Sequence, residues 1–240
     1  MPYRRLPNTD QARIRALRTA IEVFRQTNVP ELALTIKTIN EAEVFLPNFE
    51  GAHHDYLMCL NSQVTAGKKY QQQIKTVRLY ISHFIQVLNF SVIRNEIKKE
   101  QKTLYGLDPN NFSVPDLSTE KALLRWGERI IRGEQERIKN GGAPIYNPAI
   151  AKVRVHYDIF KDSGISQKTF QKSTNRSLEQ LASLRETADE IILNLWNEVE
   201  DFYKSYPDEE KRMYCKIYGL RYYYRKNEKI HSEAEDSEND

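Results

Sequence analysis

Glu50 and His53 stand three positions apart in the stretch FEGAHHDYLMC. On a helix this spacing puts a carboxylate and an imidazole on one turn, the arrangement that di-iron helical bundles use twice, each time with a further Glu from another helix. His54, Asp55 and Cys59 add ligand-type side chains, but His54 and Asp55 are adjacent and diverge by about 100° around a helix. The other Glu-x-x-His pair, Glu228 and His231, falls in the polar C-terminal end, where it would not face a bundle core. A metal-binding helical bundle on Glu50 and His53 is therefore the third of the readings, and no cofactor is expected. His83 lies between apolar residues in ISHFIQ with no nucleophile-elbow or cysteine-protease context near it, so it reads as a hydrogen-bonded core or boundary histidine. Glu198, Glu200 and Asp201 surround an apolar seam and read as the wet face of a helix. Phosphate loops and dinucleotide fingerprints are missing, and KNGGAP is better read as a helix end. These residues give no catalytic constellation, and the chain is expected not to be an enzyme.

Cations are the second resource. Residues 1–25 hold six arginines against two acids, and residues 67–104 hold eight Lys or Arg against two Glu. Were Arg15, Arg18, Arg25, Lys68, Lys69, Lys75 and Arg78 brought together, they would form a phosphate-binding surface, which makes a nucleic-acid-associated protein the second reading. Half of the tyrosines fall between Tyr203 and Tyr224. Tyr218, Leu220, Tyr222 and Tyr224 alternate there as a short strand would, either as an interaction strap that pairs with another extended piece of this chain or a second copy, or as an aromatic strap packed on the bundle.

Positioning such groups falls to helices. Asn8 with Gln11 resembles a capping box, and Ile14, Leu17, Ile21 and Phe24 recur at helical spacing, which predicts a first helix over about 9–26. Pro30 opens a second whose course is bent or broken near Pro47 and Gly51. Residues 52–104 follow as helix throughout, as one rod or with a turn near Gly67. The stretch YGLDPNNFSVPDLS reads as a linker. Ser118 caps the next helix, and Asn147 followed by Pro148 opens another, with Ile150, Val153, Tyr157 and Phe160 on one face. After a break at Gly164, Leu181, Leu184, Ala188, Ile191, Leu195, Val199, Phe202 and Tyr206 form a coiled-coil-like seam ended by Pro207.

Within WGERIIRGE two glycines interrupt a helical pattern, each at a cost of about 1 kcal/mol relative to alanine. Gly127 and Gly133 lie three positions either side of Ile130, on the buried stripe with Leu123 and Trp126. A glycine there admits a neighbouring backbone or ring, and the added packing offsets the penalty. A kink at Gly133 is the alternative. The halves also repeat: Thr9 and Ala12 match Thr119 and Ala122, and Arg78, Phe84, Ile85 and Leu88 match Arg185, Ile191, Ile192 and Leu195, a possible internal repeat. The phrases YISHFIQVLN, WGERIIRGE and GGAPIYNPAIAKV resemble those of an uncharacterised family of helical proteins from Bacteroidetes, over most of the chain from YRRLPNTD to YGLRYYYRKNE. The resemblance implies a single helical unit and carries over no function, cofactor or catalytic residue.

Composition sets the outer bounds. Of 240 residues 29% are charged, with nine Gly and nine Pro. The most apolar window, residues 77–93, contains Arg78, His83, Gln86 and Asn89 and is too short and polar to span a bilayer, so no membrane association is expected. Two distant cysteines and no signal peptide point to the cytoplasm. Residues 226–240 carry a net charge of −4 beside +3 for the whole chain, and read as a solvated, disordered acidic tail. The expectation is an all-α, elongated antiparallel helical bundle of long helices, in two similar halves: residues 1–106, a linker at 107–117, residues 118–225, then the tail. Its expected role is non-catalytic: a scaffold with protein partners, a homo-oligomer among them.

Overall fold

A computed structural model describes residues 2–27 and 32–224. The chain is all-α, a bundle of long helices. In order it forms β1 (Tyr3–Arg4), α1 (Asp10–Gln26), α2 (Ile36–Ile93), a 3-10 segment η1 (Lys99–Tyr105), α3 (Glu120–Lys139), α4 (Ile150–Phe202), α5 (Asp208–Ile217) and β2 (Tyr222–Tyr223). The position read as the start of the second helix, Pro30, and the acidic tail with Glu228 and His231 lie outside the described residues.

Both long helices run through the breaks expected of them. The 58-residue α2 passes Pro47, Gly51 and Gly67 without interruption, and α4 passes Gly164. An interior proline costs about 3 kcal/mol; Phe45, Leu46 and Phe49 on either side of Pro47 pack into the apolar core, and that burial outweighs the lost hydrogen bond. The true stop of α2 comes at Ile93, eleven residues before the expected end. Asn95 takes the left-handed conformation with φ 60°, and the amides of Glu96 and Ile97 turn back to the carbonyl of Ser91, the helix-ending turn that asparagine supplies when glycine does not. Helix α4 likewise ends at Phe202, before Pro207, so Phe202 and Tyr206 are exposed rather than buried in the seam.

Contacts divide the chain into two compact units that do not follow the expected halves. Unit 1 holds residues up to Met58 together with those from Asn175 on, and unit 2 holds Cys59–Thr174. The stretch read as a linker at 107–117 belongs inside unit 2. Leu107 and Leu117 are buried there, Arg78 donates to the carbonyls of Leu117 and Ser118 at 3.0 Å each, and Lys102 donates to the carbonyl of Asn111 at 2.6 Å. Turn-rich composition described the loop's shape correctly; its two leucines and its carbonyls are what tie it down.

Each unit packs a short capped helix against its own segments of α2 and α4. In unit 1, Leu17 and Ile21 of α1 meet Ile39 and Ala42 of α2 and Ile192, Leu195 and Trp196 of α4. In unit 2, Leu123 and Ile130 of α3 meet Val77, Ile81 and Phe84 of α2 and Val153 and Phe160 of α4. Within each unit α2 and α4 run antiparallel: Thr38 meets Glu198 in unit 1, and Tyr70 stacks on Phe160 while Tyr80 stacks on His156 in unit 2.

The two units repeat local details. The caps are Thr9 and Thr119, one residue after the Asn8 and Ser118 expected. Each hydroxyl accepts from an alanine amide, Ala12 at 3.2 Å and Ala122 at 3.1 Å. An arginine of a long helix reaches the start of each short helix, Arg185 to Asp10 at 2.8 Å and Arg78 to the carbonyls before α3. Phe84, Ile85 and Leu88 are buried as Ile191, Ile192 and Leu195 are. The sequence Tyr-Gly-Leu closes the last helical turn twice, at 105–107 and 218–220. Gly106 and Gly219 both have positive φ, and the leucine amide returns to the residue five back, Lys102 or Cys215.

The aromatic strap folds onto its own unit. Tyr218 and Leu220 are buried in turn residues, and only Tyr222 and Tyr223 form a strand, paired antiparallel with Tyr3 and Arg4. Tyr222 donates to Glu200 at 2.6 Å, and Tyr224 is left exposed. Strand-forming side chains therefore find a partner in this chain's own N-terminus.

Candidate functional site

Unit 2 contains a polar network sealed inside apolar packing. Glu134 and Arg137 continue the buried stripe of α3, with side chains 0% and 2% exposed, and pair at 2.8 Å. The glycines of the same stripe explain how they fit. A Cβ at Gly133 would stand 2.7 Å from the Tyr105 ring and 2.8 Å from the Leu104 carbonyl, and one at Gly127 would collide with the Tyr157 ring. Their absence lets η1 and α4 close on α3, as the spacing around Ile130 predicts.

Each oxygen of Glu134 accepts two hydrogen bonds. One Glu134 oxygen accepts from the Tyr105 hydroxyl and from Arg137 Nε at 2.9 Å; the other accepts from Arg137 Nη2 and from the Ile145 amide at 3.0 Å. Arg137 Nη2 also donates to the Ala143 carbonyl at 2.7 Å. Burial and then the adjacent carboxylate push the Tyr105 hydroxyl far above its ordinary pKa. Burial works against the Arg137 charge, but Glu134 and Tyr105 outweigh it and hold the guanidinium up. Breaking such a pair strands a buried charge at a cost of about 3–5 kcal/mol. The network fastens the loop 140–149 to the core at Ala143 and Ile145.

That loop presents Tyr146, which is 81% exposed directly after buried Ile145. Tyr146 borders a cavity of about 340 Å³ with Leu79, Tyr80 and His83 of α2, Pro148, and Lys152 of α4. The Tyr80 ring stacks on His156 at 4.2 Å between centroids, and Lys152 Nζ lies 5.6 Å from the same ring. Leu79, 64% exposed, extends the apolar part. No acidic residue lines the cavity among the described residues. Aromatic rings, an aliphatic side chain and an ammonium suit recognition, and the cavity offers no nucleophile with a base and an orienting group beside it.

The residues singled out in the sequence fare differently. His83 sits at the rim of this cavity, exposed, not in the core. Glu50 is held by Arg18 at 2.6 Å, His53 is half-buried, and no group of three or more metal-ligating side chains occurs among the described residues. Of the seven cations proposed as one surface, Arg15, Arg18 and Arg25 belong to unit 1 and Lys68, Lys69, Lys75 and Arg78 to unit 2. Arg18 and Arg25 are paired with Glu50 and Glu43, and Arg78 is spent on backbone carbonyls. Within the strap, Tyr218 and Leu220 serve the core. Tyr80, Tyr146, Lys152 and His156 were missed, because Tyr80 and His156 look like ordinary positions on helices and the loop around Tyr146 reads as a helix end. Its one signal was a tyrosine between Ile145 and Asn147 in a turn with no stripe to join.

None of the long helices is apolar enough to cross a membrane among the described residues. No family model, curated protein or solved structure matches the chain.

Proposed function

We propose that the protein is a non-catalytic interaction module and that the Tyr146 face of unit 2 is where it docks a protein partner. The observation that carries this reading is a large aromatic side chain, 81% exposed, on a loop fastened from beneath by the buried Glu134–Arg137 pair. A tyrosine held this way loses little freedom on binding, and aromatic anchors supply much of the energy of protein interfaces. Lys152 without an acidic neighbour in the cavity favours a partner segment that carries a carboxylate beside an apolar side chain. The chain's two units, each with a Thr-capped short helix and a Tyr-Gly-Leu turn, support a duplicated helical plan on which this face was elaborated once.

A photoactivatable residue at position 146 tests the docking face, with position 44 as control because Val44 is equally exposed in unit 1. The expected result is a discrete protein adduct from 146, absent from 44 and lost in Tyr80→Ala/Lys152→Glu. An adduct of twice the chain's mass would name a second copy as the partner. No adduct from 146, or the same products from both positions, removes the proposal.

A further inference from the structure

We propose that unit 1 holds a second binding site, for a small molecule bearing a phosphate or diphosphate group, in the cavity of about 300 Å³ lined by Arg5, Arg15 and Arg221. Strand pairing creates it. Tyr3 pairs with Tyr223 and Arg4 with Tyr222, so the chain just past the two strand ends carries Arg5 and Arg221 to the same cavity. Side chains alternate along a strand, and Arg4 points the other way, to Glu200 at 2.8 Å. The turn at Gly219 then brings Arg221 to α1. Its φ is +87°, and a Cβ there would already touch Thr19 at 3.5 Å. Arg15 and Thr19 stand on that face of α1, and the small side chains of Ala12 and Ala16 leave room.

The charges are arranged as a site would need them. Arg4, Arg13, Arg18, Arg25 and Arg185 in the same unit are each paired with a carboxylate. Among the described residues, Arg5, Arg15 and Arg221 have no such partner and no acid lines the cavity. Like charges lining one cavity repel, so the unliganded arrangement carries a cost that an anion removes. A single carboxylate would neutralise one guanidinium of three; a phosphate monoester or diphosphate brings two to three negative charges and oxygens that match the guanidinium fork. Trp196, nearly buried, and Tyr223 supply apolar surface for the rest of the ligand. The volume is that of a small organic ligand site.

Titration calorimetry on the full chain, with pyrophosphate as probe and citrate as competitor class, decides the matter. The expected result is saturable one-to-one binding of pyrophosphate at low ionic strength, weakened at least tenfold in Arg5→Gln/Arg221→Gln. Arg18→Gln, whose guanidinium Glu50 already holds, should leave it within twofold. Thermal unfolding gives a second readout that misfolding would not mimic: Arg221→Gln should raise the Tm of the unliganded protein while shrinking the rise that pyrophosphate causes. The proposal is overturned by no saturable binding, by equal binding in the double variant, by a lower unliganded Tm in Arg221→Gln, or by citrate binding tenfold more tightly than pyrophosphate.

Discussion

Unit 1 and unit 2 finish a helical turn with the same three residues, Tyr218-Gly219-Leu220 and Tyr105-Gly106-Leu107, and secure the surroundings in opposite ways. In unit 2 the tyrosine hydroxyl enters a desolvated ion pair, Glu134 with Arg137, that also fastens the next loop. In unit 1 the nearby polar tie is Arg4 with Glu200 and Tyr222, with side chains 20% and 26% exposed for the charged pair, and it fastens a two-residue strand. Each tie joins an arginine, a glutamate and a tyrosine hydroxyl, and the two differ in solvation. A sealed pair fixes a loop firmly enough to present Tyr146, whereas a half-wet pair holds a strand while leaving the arginines beside it open. On the two proposals, unit 2 would recognise its partner by shape and unit 1 its ligand by charge.

The comparison breaks first at the ion pairs. Arg137→Ala should cost about 3–5 kcal/mol because Glu134 stays buried without its counter-charge. Arg4→Ala should cost about 1 kcal/mol or less, since water replaces the guanidinium at Glu200. Urea unfolding of both variants measures the pair, and equal losses would show that solvation does not separate the units. Hydrogen exchange at residues 140–149 should rise in Arg137→Ala alone.

Packing sharpens the contrast next. Gly133→Ala should cost about 1–3 kcal/mol, because the new methyl meets the Leu104 carbonyl, which is backbone and cannot swing aside. Gly51→Ala in unit 1 faces open space within α2 and should stabilise by about 0.5–1 kcal/mol. A neutral Gly133→Ala would mean that α3 and η1 do not close as tightly as the network requires.

The sequence made the helices and the glycine stripe legible, because burial at three- and four-residue spacing leaves a pattern that needs no knowledge of the partner. It did not reveal Pro47 passing through α2, since the penalty of proline is local and the compensation by Phe45, Leu46 and Phe49 is tertiary. Glu134 and Arg137 were hidden for a related reason. They continue the stripe through Ile130 and Gly133, yet a charged pair at i and i+3 reads as a solvated face unless its acceptors at Ala143 and Ile145 are known. The candidate cavities were less legible still. Arg5 and Arg221 are 216 positions apart and line one cavity beside the β1–β2 pair, and the basic surface inferred from local charge counts joined residues of different units while omitting both.

Alkaline pH acts on both units through their buried tyrosines. Burial and Glu134 raise the Tyr105 pKa, so the folded chain keeps a proton that the unfolded chain loses near pH 10. The unfolded state then binds fewer protons, and stability falls as pH rises above 10, by about 1.4 kcal/mol per pH unit for this tyrosine. Tyr105→Phe should flatten the decline measured by urea unfolding between pH 9 and 11. Tyr222, raised by burial and by Glu200, contributes in the same direction from unit 1. A decline unchanged in Tyr105→Phe would place the sealed environment elsewhere.

The smallest effect tests whether the two Tyr-Gly-Leu turns are physically the same device. Gly106 and Gly219 have φ of 68° and 87°, where a side chain is strained, so alanine at either should cost about 1 kcal/mol. Space does not distinguish them: the added methyl would meet the flexible Arg129 side chain at 3.4 Å in unit 2 and Thr19 at 3.5 Å in unit 1. Equal losses in thermal unfolding, partly recovered by asparagine at both positions, are therefore expected. A markedly larger loss at Gly219 would show that its turn is held against α1 more tightly than its twin is held against α3. Arg221 two residues on would then depend on that contact for its place in the cavity, and pyrophosphate binding should weaken in Gly219→Ala but not in Gly106→Ala.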